Sequence, residues 1–566
     1  SLYVKWNGSL RGMGYDDYGE LGRASPASLL SPTELVASDV EQVSAGLHHT
    51  HYLKRDGTLW GMGWNNQGQL GSGDKVSKTT AAQIDTDVVR LADFPFPNPY
   101  WRKFAAPDRA MHDQAGNSVS VSEKFLAVGS SAHDPSGITD AGAVYLHQIE
   151  SNGSVSGFHK ITAYDGAAND CFGSSVSISG NLLAVGSNRA DSGGSADVGA
   201  TYLYRLENNG SVHLIEKITP NGGLAGDYFG HSVSVSGNLL AIGSYSAEAG
   251  GTNDAGAVYL YRVESNETVS LLDKVAANDG VTGDLFGYSV SLSGNILAVG
   301  ADGADSGGAT NNGASYVYRV ENNGSVSFLQ KVTADGGASS DRFGHSVSVL
   351  GNLLAVGSWA HDSSGITDAG AVYLYRVENN DSTSFLQKVT ANDSINHDRF
   401  GHSVSISGNI LSVGAADDPM GYSTGKEACY LYHVENNGSV SFHRKLTSPD
   451  GITNNAFGFS VSASDGFLAV GAHLARPGGI GNAGAAYLFE IGPADLNSTT
   501  PLSDSNFQTA VNLWFSNEEL ATATYGHIRD WNVTGVTDMS NAFNGRSNFN
   551  NDISGWDVSS VTTMWG

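Results

Sequence analysis

Carboxylates recur at fixed positions along this chain, and clustered carboxylates are residues with which proteins bind calcium. Segments such as "HDPSGITDAG" place two of them six residues apart in a glycine-containing loop. Calcium takes six to eight hard oxygen ligands, and the candidate ligands are Asp134, Asp140, Asp191, Asp197, Glu248, Asp254, Asp362 and Asp368. The sequence therefore predicts that calcium is possible at these loops, although no cofactor is required.

The same loops have a second interpretation, because Asp, Asn, Ser and Gly are also the residues of tight turns. The pattern weakens toward the end of the chain, where Arg476 and Asn482 replace the two carboxylates. A cation would be repelled there, which favours turns over calcium. One more carboxylate row precedes a recurring Phe-Gly pair: Asp113, Asp170, Asp227, Asp284, Asp341 and Asp398.

Histidine could supply a different metal site, because three of the Phe-Gly pairs are followed by His. These are His231, His345 and His402, but the equivalent positions elsewhere hold Ser174, Tyr288 and Phe459. A ring of ligands would be interrupted, so packing is the favoured role. The short "HHTH" segment of His48, His49 and His51 is likewise interpreted as structural.

The motifs of the common enzyme classes are missing from the sequence. It contains no nucleophile elbow, no His-Glu-x-x-His, no phosphate-binding loop and no dinucleotide fingerprint. The recurring carboxylates stand in turns of every repeat, which indicates architecture rather than acid–base chemistry. We therefore expect no enzyme and no catalytic residues.

A 57-residue repeat positions all of these residues. Its Phe-Gly pairs begin at Phe172, Phe229, Phe286, Phe343, Phe400 and Phe457, and a degenerate first copy stands at Ala115-Gly116. Each unit has four short segments rich in β-branched and aromatic residues, separated by Gly and Asn turns, which is typical of β-strands. Seven such units without insertions predict a seven-bladed β-propeller.

The ends of the array indicate that the propeller closes. The seventh unit supplies three strands and then leaves through Gly492-Pro493. Before the first unit, "WRKFAAPD" (residues 101–108) matches the fourth-strand pattern "LQKVTAD" (residues 329–335). An N-terminal strand would thus complete the last blade and remove an open sheet edge. The expected fold class is all-β, a seven-bladed propeller closed by an N-terminal strand.

At these residues the chain resembles a known repeat. Phe-Gly-x-Ser-Val followed by "LAVG" is similar to the FG-GAP repeat of integrin α-subunit propellers and of many secreted microbial proteins. The integrin type carries an Asp-x-Asp-x-Asp-Gly calcium loop between the first two strands. Here that connection is only Ser236-Gly237-Asn238, without carboxylates, which argues against integrin-like calcium binding.

The flanking segments resemble two other repeat families. "LRGMGYDDYGELG" and "LWGMGWNNQGQLG", 49 residues apart, are similar to the regulator-of-chromosome-condensation repeat, another propeller unit. "WNVTGVTDM" and "WDVSSVTTM", 25 residues apart, resemble the BspA-type leucine-rich-like surface repeat, the start of a solenoid. The expected domains are a partial propeller-type region at 1–99, the propeller at 100–492, a linker at 493–506 and a solenoid region at 507–566. We expect the polypeptide to continue beyond Gly566.

Composition limits the partners. Acidic residues outnumber basic ones by 57 to 30, and such a surface repels phosphate backbones, so no nucleic acid is expected. No apolar run is long enough to span a membrane.

The two cysteines, Cys171 and Cys429, are too few for a disulfide scaffold and are expected to be free buried thiols.

Asn-x-Ser/Thr sequons recur with the repeat. The residue after Asn varies among Gly, Glu and Asp, whereas the hydroxyl two residues along is present in every copy, so the segment is a turn and a glycan acceptor together. The candidate acceptors are Asn7, Asn152, Asn209, Asn266, Asn323, Asn380, Asn392, Asn437, Asn497 and Asn532. N-glycosylation implies secretion and an extracellular location at the cell surface.

Two functions follow from these expectations. The first is a non-enzymatic glycoprotein that serves as a structural subunit of a cell-surface or filamentous assembly, such as a flagellar hair or a wall. The alternative is an adhesion or ligand-binding propeller of a surface receptor. The expected partners are N-linked glycans and other copies of the chain or other surface and filament proteins. In both cases six repeat sequons would ring one face and the acidic loops the other.

Overall fold

In the computed structural model the chain divides into two compact units, Ser1–Pro99 and Tyr100–Gly566. The described residues are 2–4, 10–14, 21, 29–36, 40–45, 48–54, 58–66, 70, 72 and 74–85 of the first unit. In the second they are 101–491, without 123, 151–154, 208–209, 250, 364, 379, 417–426, 436, 451–453 and 465, followed by 502–504, 506–516, 528, 531, 533, 535–544, 546, 553, 558 and 560–563.

The first unit consists of two antiparallel sheets. The three-stranded sheet holds β1 (Leu2–Val4), β2 (Leu10–Gly14) and β3 (Leu29–Val36), and the four-stranded sheet holds β4 (Val40–Ala45), β5 (His49–Lys54), β6 (Leu59–Gly63) and β7 (Lys78–Asp85). Leu10, Val40, Tyr52 and Met62 are buried in their shared core. His51 Nε2 lies 3.2 Å from the Leu70 carbonyl oxygen, a hydrogen bond within the fold.

Seven four-stranded antiparallel sheets, the blades, form most of the second unit. In six of the seven blades the strands pair in chain order and the blade is one 57-residue repeat. The strands are β8 (Trp101–Phe104), β9 (Ser118–Val121), β10 (Phe125–Ser130), β11 (Ala143–Ile149), β12 (Val155–Ile161), β13 (Phe172–Ser179), β14 (Leu182–Ser187), β15 (Ala200–Leu206), β16 (Val212–Ile218), β17 (Ser232–Ser236), β18 (Leu239–Ser244), β19 (Ala257–Val263), β20 (Val269–Val275), β21 (Phe286–Ser293), β22 (Ile296–Ala301), β23 (Ala314–Val320), β24 (Val326–Val332), β25 (Phe343–Leu350), β26 (Leu353–Ser358), β27 (Ala371–Val377), β28 (Thr383–Val389), β29 (Phe400–Ser407), β30 (Ile410–Ala415), β31 (Ala428–Val434), β32 (Val440–Leu446), β33 (Phe457–Ser464), β34 (Phe467–Ala472) and β35 (Ala485–Glu490).

The propeller closes as the sequence predicts. The seventh blade contains β33, β34 and β35, and its fourth strand is β8, which pairs antiparallel with β35 through the register Ala486–Phe104 to Phe489–Trp101. The first strand of each blade contacts the first strand of the next, and β33 contacts β9 to complete the ring. The expected fold class, including closure by the N-terminal strand, is confirmed.

Serine hydroxyls connect each blade to the next. In strand β13 the Ser175 hydroxyl donates to the Gly230 carbonyl of the following blade at 2.8 Å, and Ser460 of the last blade donates to Gly116 of the first at 2.9 Å. Two residues after each of these serines, a second hydroxyl accepts from a backbone amide of the neighbouring blade, as Ser177 does from Val235 at 3.0 Å. Both bonds recur at all seven blade junctions. The Ser-Val-Ser alternation of the innermost strands is thus the pattern that joins the blades.

A glycine in the second strand of every blade permits this close approach. A Cβ atom on Gly300 would lie 1.9 Å from the Gly344 carbonyl oxygen, closer than real Cβ contacts allow. The equivalent distance is between 2.0 and 2.2 Å in the other six blades, at Gly129, Gly186, Gly243, Gly357, Gly414 and Gly471. These positions accept only hydrogen as a side chain.

The Phe of each Phe-Gly pair fills the space between neighbouring blades. Phe172 is fully buried and meets Tyr202 edge-to-face, with ring centroids 5.2 Å apart. Tyr202 donates to Asp165 at 2.6 Å, and the Lys217 ammonium lies 2.6 Å from the same carboxylate. Burial opposes ionisation of Asp165, but the bonds from Lys217 and Tyr202 outweigh it and lower the pKa of the carboxyl group. The Tyr–Asp–Lys arrangement recurs around Asp108, Asp279, Asp393 and Asp450.

The described residues of the C-terminal part include a helix, α1 (Phe507–Ser516). Phe507, Val511 and Trp514 of this helix are buried together with Trp531. A parallel bridge joins Asp538 to Thr563, which are 25 residues apart. The segments "WNVTGVTDM" and "WDVSSVTTM" are also 25 residues apart, so the bridge joins equivalent positions of the two copies of this repeat.

We expect Gly300→Ala to destabilise the propeller by about 3 kcal/mol, because its methyl group would collide with a backbone carbonyl that cannot move without opening the ring. The control is Gly294→Asn, at a turn where φ is +56° and nothing lies within 4 Å. Thermal unfolding of the two variants measures the difference. Equal midpoints would contradict a close-packed blade junction.

Candidate functional site

The acidic loops join the second and third strands of each blade. In the first loop the Asp134 carboxylate accepts a hydrogen bond from the Asp140 backbone amide at 2.7 Å. The same bond joins Asp191 to Asp197 at 3.1 Å and Asp362 to Asp368 at 2.9 Å. The structure thus brings these predicted pairs together, with the first carboxylate closing a turn.

The second residue of each pair has a left-handed backbone. Its φ is between +48° and +54° at Asp140, Asp197, Asp254, Asn311, Asp368 and Asn482. Asp and Asn tolerate this conformation better than other residues with a side chain. The turn therefore explains why Asn can replace Asp in two blades.

No three His, Cys, Asp or Glu side chains converge as a metal site among the residues that the structure describes. The carboxylate row before Phe-Gly caps turns instead, as Asp341 does by accepting from the Ala338 amide at 3.0 Å. Calcium at Asp134, Asp140, Asp191, Asp197, Glu248, Asp254, Asp362 and Asp368 stays a prediction.

Two rows of side chains surround the propeller axis at the acidic-loop face; we call them the axial rows. The first row follows each Phe-Gly at the start of the innermost strand: Asn117, Ser174, His231, Tyr288, His345, His402 and Phe459. The second row follows the second strand of each blade: Ser131, Asn188, Tyr245, Asp302, Trp359, Ala416 and His473. Because those two strands are antiparallel, both rows reach the same mouth of the axis.

Rings fill most of this mouth. His231, Tyr288, His345, His402 and Phe459 contact one another in sequence, with neighbouring centroids 4.7 to 4.9 Å apart. His345 Nδ1 also lies 3.1 Å from the buried Asp302 carboxylate. The three Phe-Gly-His histidines thus meet in a packed ring stack.

Burial lowers the pKa of His231 to about 4, and it lowers the pKa of His473 to about 4 as well. The pKa of His402 falls well below its ordinary value for the same reason. These imidazoles are therefore neutral at physiological pH.

The first two blades leave an open cavity in the same mouth. Its volume is about 470 Å³, and its lining includes Gln114, Ser131, Cys171, Ser174, Asn188 and Arg189. Small polar residues of blades one and two stand where later blades carry rings. Both cysteines are free, as expected, but Cys171 is half-buried at this cavity whereas Cys429 is fully buried.

The axial rows are the functional candidates that the motif search missed, although the sequence holds a signal for them. The second row has seven different residues in seven repeats, while the Ser that follows each first-row residue and the Gly of each second strand never change. Comparison of the repeats with one another, position by position, would have found this divergence. The positions that diverge between repeats lie together at one mouth of the propeller axis, where a ligand could contact several blades.

The repeat sequons that the structure describes lie in the turns between the third and fourth strands, on the face opposite the acidic loops. Asn266, Asn323, Asn380 and Asn437 are exposed in these turns, and Asn392 is exposed in the loop between two blades. The Asn323 side-chain oxygen accepts from the Ser325 amide and hydroxyl at 3.0 and 2.8 Å. Asn7, Asn152, Asn209, Asn497 and Asn532 lie outside the described residues.

The residue after each described repeat Asn has a left-handed φ, which explains the frequent Gly. Glu267 and Asp381 adopt this conformation without being Gly. Their carboxylates pair with an arginine of the preceding blade: Arg205 Nε lies 2.7 Å from Glu267, and Arg319 binds Asp381. These cross-blade ion pairs offset the strain of the turn.

The fold and the repeat together define a closed propeller built from Phe-Gly units. The profile of the FG-GAP repeat matches residues 101–147, 156–204, 213–261, 270–318, 326–375, 383–432 and 440–489. The chain belongs to the FG-GAP repeat family. This module is of a ligand-binding or structural kind.

The flanks match other families. Two profiles of the regulator of chromosome condensation repeat match residues 40–69 and 56–89, and a family described as "Mycoplasma protein of unknown function, DUF285" matches residues 509–566. The predicted three-part composition is confirmed.

Whole-chain comparisons add little. A solved structure titled "Crystal Structure of Mitotic Checkpoint Complex" is similar at 14% identity and a TM-score of 0.44, over 72% of this chain and 99% of that chain. No match was found among curated proteins. Within the described residues, every helix is too short or too polar to cross a membrane.

The neutral axial histidines predict a loss of stability in mild acid. In the unfolded chain a His side chain has a pKa near 6.5, whereas burial lowers the pKa of His231 to about 4 in the folded chain. Between these two pH values the unfolded state binds more protons than the folded state, so the free energy of unfolding falls as the pH drops from 6.5 toward 4. His231→Tyr, the residue of the next blade, should reduce the fall in melting temperature between pH 7.5 and 5. The exposed His159→Gln is the control. An unchanged pH slope in His231→Tyr would argue against a buried neutral imidazole.

Proposed function

We propose that this chain is a non-enzymatic, secreted glycoprotein and a structural subunit of a cell-surface or filamentous assembly. The observation that carries the proposal is the placement of the sequons. Four of the six repeat acceptors are exposed in equivalent turns of successive blades, on the face opposite the acidic loops. Glycans there would cover one face and leave the other free for protein contacts.

The array of repeats supports a structural role. A closed ring of near-identical blades, cross-linked at every junction by two hydroxyl bonds, is a rigid body. Two further repeat classes flank it in the same chain. Repeat modules in series suit an extended, load-bearing object.

Ligand binding, as in an adhesion module, is the second candidate function. The divergence of the axial rows favours it, because a purely structural ring gives no reason for seven different residues at one position. A site that recognises one ligand needs its blades to differ. The two functions are compatible in one chain.

The glycan coat is tested by glycopeptide mass spectrometry on the native protein. We expect Asn152, Asn209, Asn266, Asn323, Asn380 and Asn437 to carry N-linked glycans, because each lies in a sequon at the same position of the 57-residue repeat. The peptide that contains Asn544-Gly545-Arg546 has no hydroxyl residue two positions after the asparagine, so it is not an acceptor and gives the background. Unmodified asparagines at all six positions would overturn the proposed coat and, with it, secretion through a glycosylating route.

The assembly is tested by electron microscopy of native material. We expect ordered polymers whose repeating body has the diameter and the central axis of a seven-bladed propeller. Immunolabelling with an antibody against blade-specific residues such as His473 to Gly484 identifies the chain within them. A monodisperse monomer that binds cells would instead favour the adhesion module.

A further inference from the structure

We propose that the cavity between blades one and two at the axial mouth binds a single pyranose sugar residue. This proposal rests on the second candidate function, ligand binding by the propeller, and it assigns that function a place and a ligand class. It does not depend on the glycan coat.

The cavity exists because the axial rows are asymmetric. Blades three to seven bring rings to the axis, whereas blades one and two bring Asn117, Ser131, Ser174 and Asn188. The space that results measures about 470 Å³. Sites for small ligands are commonly about 300–1,000 Å³, so one sugar ring fits with room for the next residue at the opening.

Polar groups without partners lie in and around this space. The Ser174 hydroxyl is buried and has no hydrogen bond. Arg189 lines the same cavity and is exposed, and none of the described residues forms a hydrogen bond or an ion pair with its guanidinium. Farther along the axial rows, Asp302 Oδ1, Trp359 Nε1 and His473 Nδ1 are also buried without partners. Buried polar groups are normally satisfied, and unsatisfied ones at one mouth indicate that a polar ligand or ordered water completes them.

The mixture of donors and acceptors selects the ligand class. Arg189 only donates and the Asp140 carboxylate only accepts, while Ser131, Ser174 and the Asn188 amide do both. Sugar hydroxyls donate and accept at once, so a pyranose satisfies all of these groups. A simple anion would be repelled by Asp140, and an apolar ligand would leave Ser174 and Arg189 without partners.

Aromatic rings lie next to the polar residues that line the cavity. Asn188 lies 3.4 Å from His231, whose ring packs on Tyr245 at 4.5 Å. Tyr245 in turn stacks on Tyr228 at 5.3 Å with the rings nearly parallel. The Arg189 guanidinium is close enough to influence the pKa of Tyr245. Aromatic side chains offer apolar area with a polar tip, which matches the C–H face and the hydroxyl edge of a sugar ring.

The sugar can come from two sources with the same chemistry. One is the end of an external polysaccharide, and the other is an N-linked glycan on a second copy of this chain. The second source would join the sequon face of one copy to the axial mouth of the next. The experiment below separates the two.

The test uses the full chain after enzymatic removal of its N-glycans, titrated with the methyl glycosides of glucose, mannose, galactose and N-acetylglucosamine. Binding is measured by saturation-transfer NMR and by calorimetry. Glycine, glutamate and sulfate are the non-sugar probes. The blocking variants take residues from other blades: Ser174→His, as at His231, and Arg189→Ala, as at Ala360. The matched control, His402→Tyr, exchanges an axial residue of blade six for the one that blade four carries at Tyr288, and the ring contacts of His402 are with His345 and Phe459, away from the cavity.

We expect at least one glycoside to bind, with a loss of about tenfold or more in affinity for Ser174→His and Arg189→Ala, and no loss for His402→Tyr. Unchanged melting temperatures show that the variants fold. Tighter binding of polysaccharide fragments than of released N-glycans identifies the external source, and the reverse identifies a second copy.

Three results would overturn the proposal: no glycoside binding at millimolar concentration, binding of only the non-sugar probes, or equal binding by Ser174→His. Because the protein in this assay carries no glycans, a failed glycan coat leaves the result intact. The two proposals therefore fail separately.

Discussion

The structure depends on how closely the innermost strands of neighbouring blades approach one another. In every blade a second-strand glycine faces the backbone carbonyl of a glycine in the next blade, where a Cβ atom would lie within about 2 Å. The serine hydroxyl on the adjacent strand donates to that same carbonyl. Contact at this distance satisfies the polar groups of the inner strands without water, and repetition around seven junctions closes the ring.

This constraint divides the repeat into fixed and free positions. The glycines and the serines are the same in all seven blades, and Phe fills six of the seven junctions, with Ala115 in its place at the seventh. Side chains at the mouth of the axis and in the surface turns lie outside the repeated glycine–serine contact, so they can differ from blade to blade. Both candidate functions use these free positions, the sequon turns on one face and the axial rows on the other.

Much of this architecture was predictable, and the failures have physical reasons. The 57-residue period gave the strands and the closing strand β8, because each blade repeats the same local pattern. The acidic loops were recognised, but residue types alone left calcium and turns open. The left-handed φ at Asn311 and Asn482 favours the turn. The axial cavity was missed because its lining comes from two blades and contains no motif.

The sequence by itself determined the strand pattern, the blade number, the seventh-blade closure and the place of each sequon in its turn. These are local or periodic properties, and a repeat displays them many times. Only the tertiary structure decided that His231, Tyr288 and His402 belong to one ring stack, that Ser131 and Ser174 share a cavity, and that Glu267 pairs with Arg205. Those contacts join residues from different blades, and their distances depend on how the ring closes.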